Sequence, residues 1–156
     1  MKQFKLASLL AIAFTALSLF PSASFAKDKE ESTVKESKAE DGTKSVEIKL
    51  GSKELEMLDV DYDEVEIDSD GASKFRMTGK ANKVVLDVSG LARIDLRGLD
   101  AKEVELDMSG AGRVRLKASK SYKLKASGFG EIYLYSDAPV KKRSVSGVVS
   151  ITREKE

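Results

Sequence analysis

The chain has no cysteine and no histidine. Without cysteine there is no thiolate nucleophile, no disulfide and no site for a lipid-modified N-terminal Cys. Without histidine the commonest general base is missing, and the two absences together remove the best transition-metal ligands. Chemistry would have to rest on carboxylates, Lys, Tyr or Ser, so we expect no catalytic residues, no metal and no cofactor.

Long apolar runs are equally scarce. One runs from Leu6 to Phe20, behind Lys2 and Lys5, and gives way to "PSASFA" before the polarity changes at Lys27. At roughly fifteen residues it falls short of the about 20 that a bilayer span needs. A basic start, a short apolar stretch and the small residues Ser24 and Ala26 have the layout of a secretory signal peptide. We therefore expect residues 1–26 to be removed and the protein to be exported, to the periplasm, the cell surface or the medium. A membrane would be touched only through this peptide before cleavage. Losing Lys2 and Lys5 changes 27 basic and 26 acidic side chains into 25 and 26, a nearly neutral mature chain. An exported domain without disulfides needs a real core, and about 130 mature residues are enough for one.

Residues 27–44, "KDKEESTVKESKAEDGTK", hold eleven charged side chains and a single sizeable apolar residue, Val34. Such a stretch buries too little to offset the entropy of ordering it. Residues 27–45 are expected to be a disordered charged linker, leaving 46–156 as one domain.

What is abundant is repetition. "LDVSGLARIDLRG", "LDMSGAGRVRLKA" and "LKASGFGEIYLYS" say nearly the same thing, and glycines recur at 51, 71, 90, 110, 128 and 147, at intervals of 18–20 residues. The fourth and sixth positions after each glycine are apolar: Leu55 and Met57, Phe75 and Met77, Ile94 and Leu96, Val114 and Leu116, Ile132 and Leu134, Val149 and Ile151. Alternation also precedes the glycine in the middle units, as in Val84, Leu86, Val88 and Val104, Leu106, Met108. The ends depart from it, since Val46, Ile48 and Leu50 are shifted by one position, and Lys141 and Arg143 stand where other units are apolar. Atypical terminal repeats suit capping.

Period-two alternation favours strands over helices. An antiparallel meander is the competitor, but slots that recur with the same residue type in every unit suit like stacking on like. The expected fold is all-β: a parallel β-helix, or β-solenoid, of about six coils over residues 46–152, with two short strands per coil and coils about 4.8 Å apart. Gly71, Gly90, Gly110, Gly128 and Gly147 are expected to turn the chain between the two strands with backbone angles unfavourable to a side chain. Ser89, Ser109, Ser127 and Ser146, with Asp70 in the first equivalent slot, would form a polar ladder beside that turn.

The phrases "SGLA", "SGAG" and "SGFG", each followed by alternating apolar residues, resemble the bacterial exported domains of the auto-transporter adhesin, head GIN domain family, over about residues 44–152. The resemblance implies a β-helical fold in a secreted or envelope protein and, by name, adhesion; it transfers no catalytic residue. The first unit, with "LGSKEL" and "SDGASKF", departs from the phrase, and Leu91 and Phe129 are bulkier than the residue usual there.

Outward slots after the glycines carry Lys74, Arg76, Arg93, Arg113 and Arg115, with Arg97 and Lys117 beyond them. Stacked, they would form a basic stripe able to hold an anionic glycan or another acidic envelope component; alternatively they are a solvated face neutralised by Glu54, Glu56, Asp95 and Glu131. Nucleic acid is not expected, because no aromatic stacking residues are interleaved. Before the glycines the outward slots are acidic, Glu66, Asp68, Asp87, Glu105 and Asp107, and must be screened or hold a cation. The leading reading is a non-catalytic envelope or adhesin-like binding module, monomeric or weakly oligomeric. A self-associating β-helix scaffold comes second. A polysaccharide-acting enzyme comes third, for want of inserted loops to shape a cleft.

Overall fold

A computed structural model describes residues 32–154, so the expected signal peptide, residues 1–26, lies outside the described residues. The described chain is all-β with no helix, 76% strand, wound into a parallel β-solenoid of about six turns. Its strands are β1 (Thr33–Lys38), β2 (Lys44–Leu50), β3 (Glu54–Ser69), β4 (Ala72–Val88), β5 (Leu91–Asp95), β6 (Leu99–Met108), β7 (Ala111–Leu116), β8 (Ala118–Ala126), β9 (Phe129–Leu134), β10 (Val140–Val145) and β11 (Val148–Arg153).

The strands stack into two long parallel ladders. The first face runs through β2, the ends of β3 and β4, then β6, β8 and β10. The second runs through the beginnings of β3 and β4, then β5, β7, β9 and β11. Val46, Val65, Val84, Val104 and Tyr122 form one inward column, and Ile48, Ile67, Leu86, Leu106 and Leu124 form the next, all at most 2% exposed. At about 1.5–3 kcal/mol per buried apolar side chain, these columns supply the core that a chain without cysteine requires. Of the twelve apolar slots after the glycines, the eight in the middle coils are buried; Leu55, Met57, Val149 and Ile151 are partly exposed because no further rung covers them.

Four expectations need correction. The middle coils have a third short parallel segment, seen at Val60–Tyr62, Gly79–Ala81 and Leu99–Ala101, with Ala118 following. Its inward residues Ala81, Ala101 and Ala118 are small, which kept it from reading as a strand. The one-position shift in the first unit belongs to the glycine and not to the strand. Leu50 pairs with Ser69, so Gly51 falls level with Asp70 and Ser52 with Gly71.

The expected linker is ordered from Thr33. Strand β1 pairs antiparallel with β2 from Thr33↔Lys49 to Lys38↔Lys44. Its side chains are almost all exposed, so it is held chiefly by the backbone groups of β2 and not by burial. The Tyr62 hydroxyl donates to Glu36, Ser37 and Ser45 hydroxyls meet at 2.7 Å, and the turn is closed by Thr43 N–H donating to Asp41 Oδ1 at 2.9 Å.

The glycines follow a different rule from the one expected. Among the five, only Gly147 has a left-handed angle, φ +90°. At Gly90, Gly110 and Gly128 the constraint is the neighbouring coil: an added Cβ would lie 2.2, 2.0 and 1.7 Å from the carbonyl oxygen of Gly71, Gly90 and Gly110. Each of those oxygens accepts the N–H of the next residue in the following coil, from Leu91 at 3.0, Ala111 at 2.9 and Phe129 at 3.1 Å. The coil-to-coil ladder thus continues through the turn, and only hydrogen fits between the backbones.

Candidate functional site

Because the coils are in register, outward side chains spaced 18–20 residues apart in sequence become neighbours. On the second face one column reads Glu54, Lys74, Arg93, Arg113, Glu131, Ser150, and the next reads Glu56, Arg76, Asp95, Arg115, Tyr133, Thr152. The structure therefore brings together Lys74, Arg93 and Arg113, with Arg76 and Arg115 alongside. Arg97 and Lys117 sit at the corner beyond the strands of this face.

Acids are interleaved. Lys74 meets Glu54 at 2.5 Å, Arg76 meets Glu56 at 3.2 Å and Arg113 meets Glu131 at 2.5 Å. Asp95 takes both Arg97, at 2.7 Å, and Arg115, at 3.4 Å, while Lys117 lies 3.6 Å from Asp100. Partial burial pushes the Asp95 carboxyl up, but the hydrogen bonds and charge of Arg97, helped by Arg115, outweigh it and hold Asp95 below the ordinary carboxylate value. The hydrogen bond from Arg113 does the same for Glu131. Guanidinium groups also lie over rings, Arg97 over Tyr135 at 5.4 Å and Arg113 over Tyr133 at 5.8 Å. Among the described residues Arg93 has no ion-pair or hydrogen-bond partner; it is exposed between two further cations. Exposed pairs such as Lys74–Glu54 contribute little in water and can be exchanged for a bound anion.

Arg93 stands over an open groove of about 840 Å³ that crosses several coils, floored by Ala92, Gly112 and Gly130 and edged by Lys74, Arg93 and Arg113. The second glycine of "SGAG" and "SGFG", overlooked in the sequence reading, makes this floor: a Cβ at Gly112 or Gly130 would lie 1.9 or 2.0 Å from the carbonyl of Ala92 or Gly112. A second groove, of about 510 Å³, follows the turns and is lined by Asp70, Ser89, Ser109 and Ser127. The serine ladder is thus real, with each turn held by its backbone: Ser89, Ser109 and Ser127 N–H donate to Ser69, Val88 and Met108 carbonyls at 2.9, 2.8 and 2.7 Å.

On the first face the acidic slots stack as expected, but between lysines, in the column Lys49, Asp68, Asp87, Asp107, Lys125. Lys125 reaches Asp107 at 2.6 Å and Lys123 reaches Glu105 at 3.3 Å. Asp87, in the middle, is pushed above its ordinary value by burial first, then by the charges of Asp107 and Asp68. A carboxyl whose folded value is raised is ionised at a cost, so stability falls as pH rises through that value. Asp87→Asn is expected to raise the melting temperature at pH 7 by about 1–2 °C and to make no difference below the carboxylate range. A lower melting temperature at pH 7 would mean that Asp87 is held favourably.

A family model described as "Putative auto-transporter adhesin, head GIN domain" matches residues 28–138. No curated protein and no solved structure matches the chain.

Proposed function

The chain belongs to the auto-transporter adhesin, head GIN domain family, and on that footing we propose that it is an exported, adhesin-like binding module that holds an anionic envelope polymer along its second face. The observation that carries this reading is Arg93, an exposed guanidinium without a counter-charge among the described residues, flanked by Lys74 and Arg113 above an open groove. A fork of N–H donors suits carboxylate or phosphate, and like charges on adjacent rungs gain from an anion laid across them. The groove is open along its length, which suits retention of a polymer better than turnover of an enclosed substrate.

The test is binding of the exported protein to immobilised polygalacturonate and polyphosphate at low and high salt. Both are expected to bind, with affinity falling as salt rises, and Arg93→Ala should weaken both roughly tenfold. Absence of salt-sensitive binding to either polymer, or an Arg93→Ala variant indistinguishable from wild type, would remove the site.

A further inference from the structure

Between the two grooves runs a single outward column of residues, Ala72, Leu91, Ala111, Phe129, Val148, paired rung to rung. Its three large members are conspicuously bare: Leu91 is 64%, Phe129 65% and Val148 70% exposed. The fold does not ask for them, since alanine fills the same slot at Ala72 and Ala111 without disturbing the ladder. Leu91 and Phe129 stand two rungs apart, about 10 Å, with Ala111 between them. The column is therefore a ridge with a saddle at Ala111. Leu91 and Ala111 line both grooves, so the saddle is where the two join.

We infer that the ligand of this surface is an acidic polysaccharide, with a sugar ring seated in the Leu91–Ala111–Phe129 saddle and its carboxylate turned to Arg93 and Arg113. The inference rests on the anion-binding reading above. A pyranose has apolar C–H faces that pack on an aromatic ring and an aliphatic side chain, and a rim of hydroxyls. On one side of the saddle are the guanidinium groups of Arg93 and Arg113, one rung apart. On the other are the exposed hydroxyls of Ser109 and Ser127, which both donate and accept as sugar hydroxyls require. Hydroxyl, apolar surface and cation thus follow one another along the rung, as Ser109, Ala111 and Arg113 do.

Other anions fit less well. An extended acidic peptide recognised by strand addition needs free backbone edges, and here the backbone of this face is spent on the coil-to-coil ladder. An anionic membrane needs a broad basic surface, whereas Glu54 and Glu131 close the cation run after three rungs. Polyphosphate has the charge but no ring for the saddle.

The test uses the full exported chain with three probes: polygalacturonate, which has rings and carboxylates; polyphosphate, which has charge alone; and dextran, which has rings alone. Two variants address the saddle, Phe129→Ala, which removes a wall, and Ala111→Leu, which fills the notch. Polygalacturonate is expected to bind more tightly than polyphosphate, and dextran not measurably. Both saddle variants should weaken polygalacturonate at least fivefold and leave polyphosphate within twofold, with unchanged melting temperatures. If both variants bind polygalacturonate as wild type does while Arg93→Ala loses it, the saddle is overturned and the anionic groove stands. Equal affinity of wild type for polyphosphate and polygalacturonate would likewise overturn the sugar assignment, and loss of every anion interaction would overturn both readings.

Discussion

Gly110→Val is expected to lower the stability of the solenoid by about 3–5 kcal/mol, a fall of roughly 10–20 °C in the melting temperature. A Cβ at this position would lie 2.0 Å from Gly90 O and 2.8 Å from the carbonyl carbon and oxygen of Ser89. These are backbone atoms, which cannot swing aside as a long side chain can. Making room means separating two coils, and that breaks the bonds from Ala111 N–H to Gly90 O at 2.9 Å and from Gly110 N–H to Val88 O at 3.1 Å. The strain also passes upward, because Gly110 O is itself the atom nearest to a Cβ at Gly128, at 1.7 Å. Ala111→Val, one residue on in the outward column, serves as the comparison and should melt within about 2 °C of wild type. Circular dichroism of the three proteins decides the matter: a Gly110→Val protein that melts with the other two would show that the turn column accepts a side chain.

The same glycine illustrates what the sequence could and could not convey. Periodic glycine between alternating apolar residues is enough to place the turns and the two main strands of the middle coils, because stacking like on like is the only simple way to bury Ile48, Ile67, Leu86, Leu106 and Leu124 together. It did not reveal why glycine is needed. A left-handed angle and a close approach demand the same residue, and only the position of the neighbouring coil tells them apart. The outward charges are legible to a similar extent. Lys74, Arg93 and Arg113 align as read, and Glu54 and Glu131, read as neutralising residues, belong to the same column, but which pairs form, such as Arg113–Glu131, depends on a rung spacing that no local window contains. Leu91 and Phe129 stood out in the sequence only as departures from the repeated phrase; that they share a ridge with Ala111 between them follows from register alone.

Removing residues up to Lys38 is expected to make the protein self-associate more strongly and to lower its melting temperature. Composition argued that this segment could not order, and composition is a guide to burial. Strand β1 is ordered by something else: β2 is the first rung of the first face, and its outer backbone N–H and C=O groups need partners whether or not the partnering strand buries anything. The hairpin turn makes β1 the nearest supplier. Gly42, at φ +90°, lets the chain reverse, with Gly42 N–H donating to Ala39 O at 3.0 Å and Ala39 N–H to Thr43 O at 2.9 Å. Without β1, β2 becomes a bare edge of alternating valine, isoleucine and leucine, a template for a second copy. The far end is guarded differently, by the exposed Lys141, Lys142 and Arg143 of β10, so association should occur through β2. Sedimentation at several concentrations reads the outcome. Gly42→Val provides a milder variant, because nothing lies within 4 Å of its added Cβ and only backbone strain, about 1–3 kcal/mol, acts to loosen the hairpin. The truncated chain should dimerise or form larger species at micromolar concentration, with the valine variant between it and wild type. A truncated protein that stays monomeric and melts like wild type would mean that β1 is an ornament on an edge that protects itself.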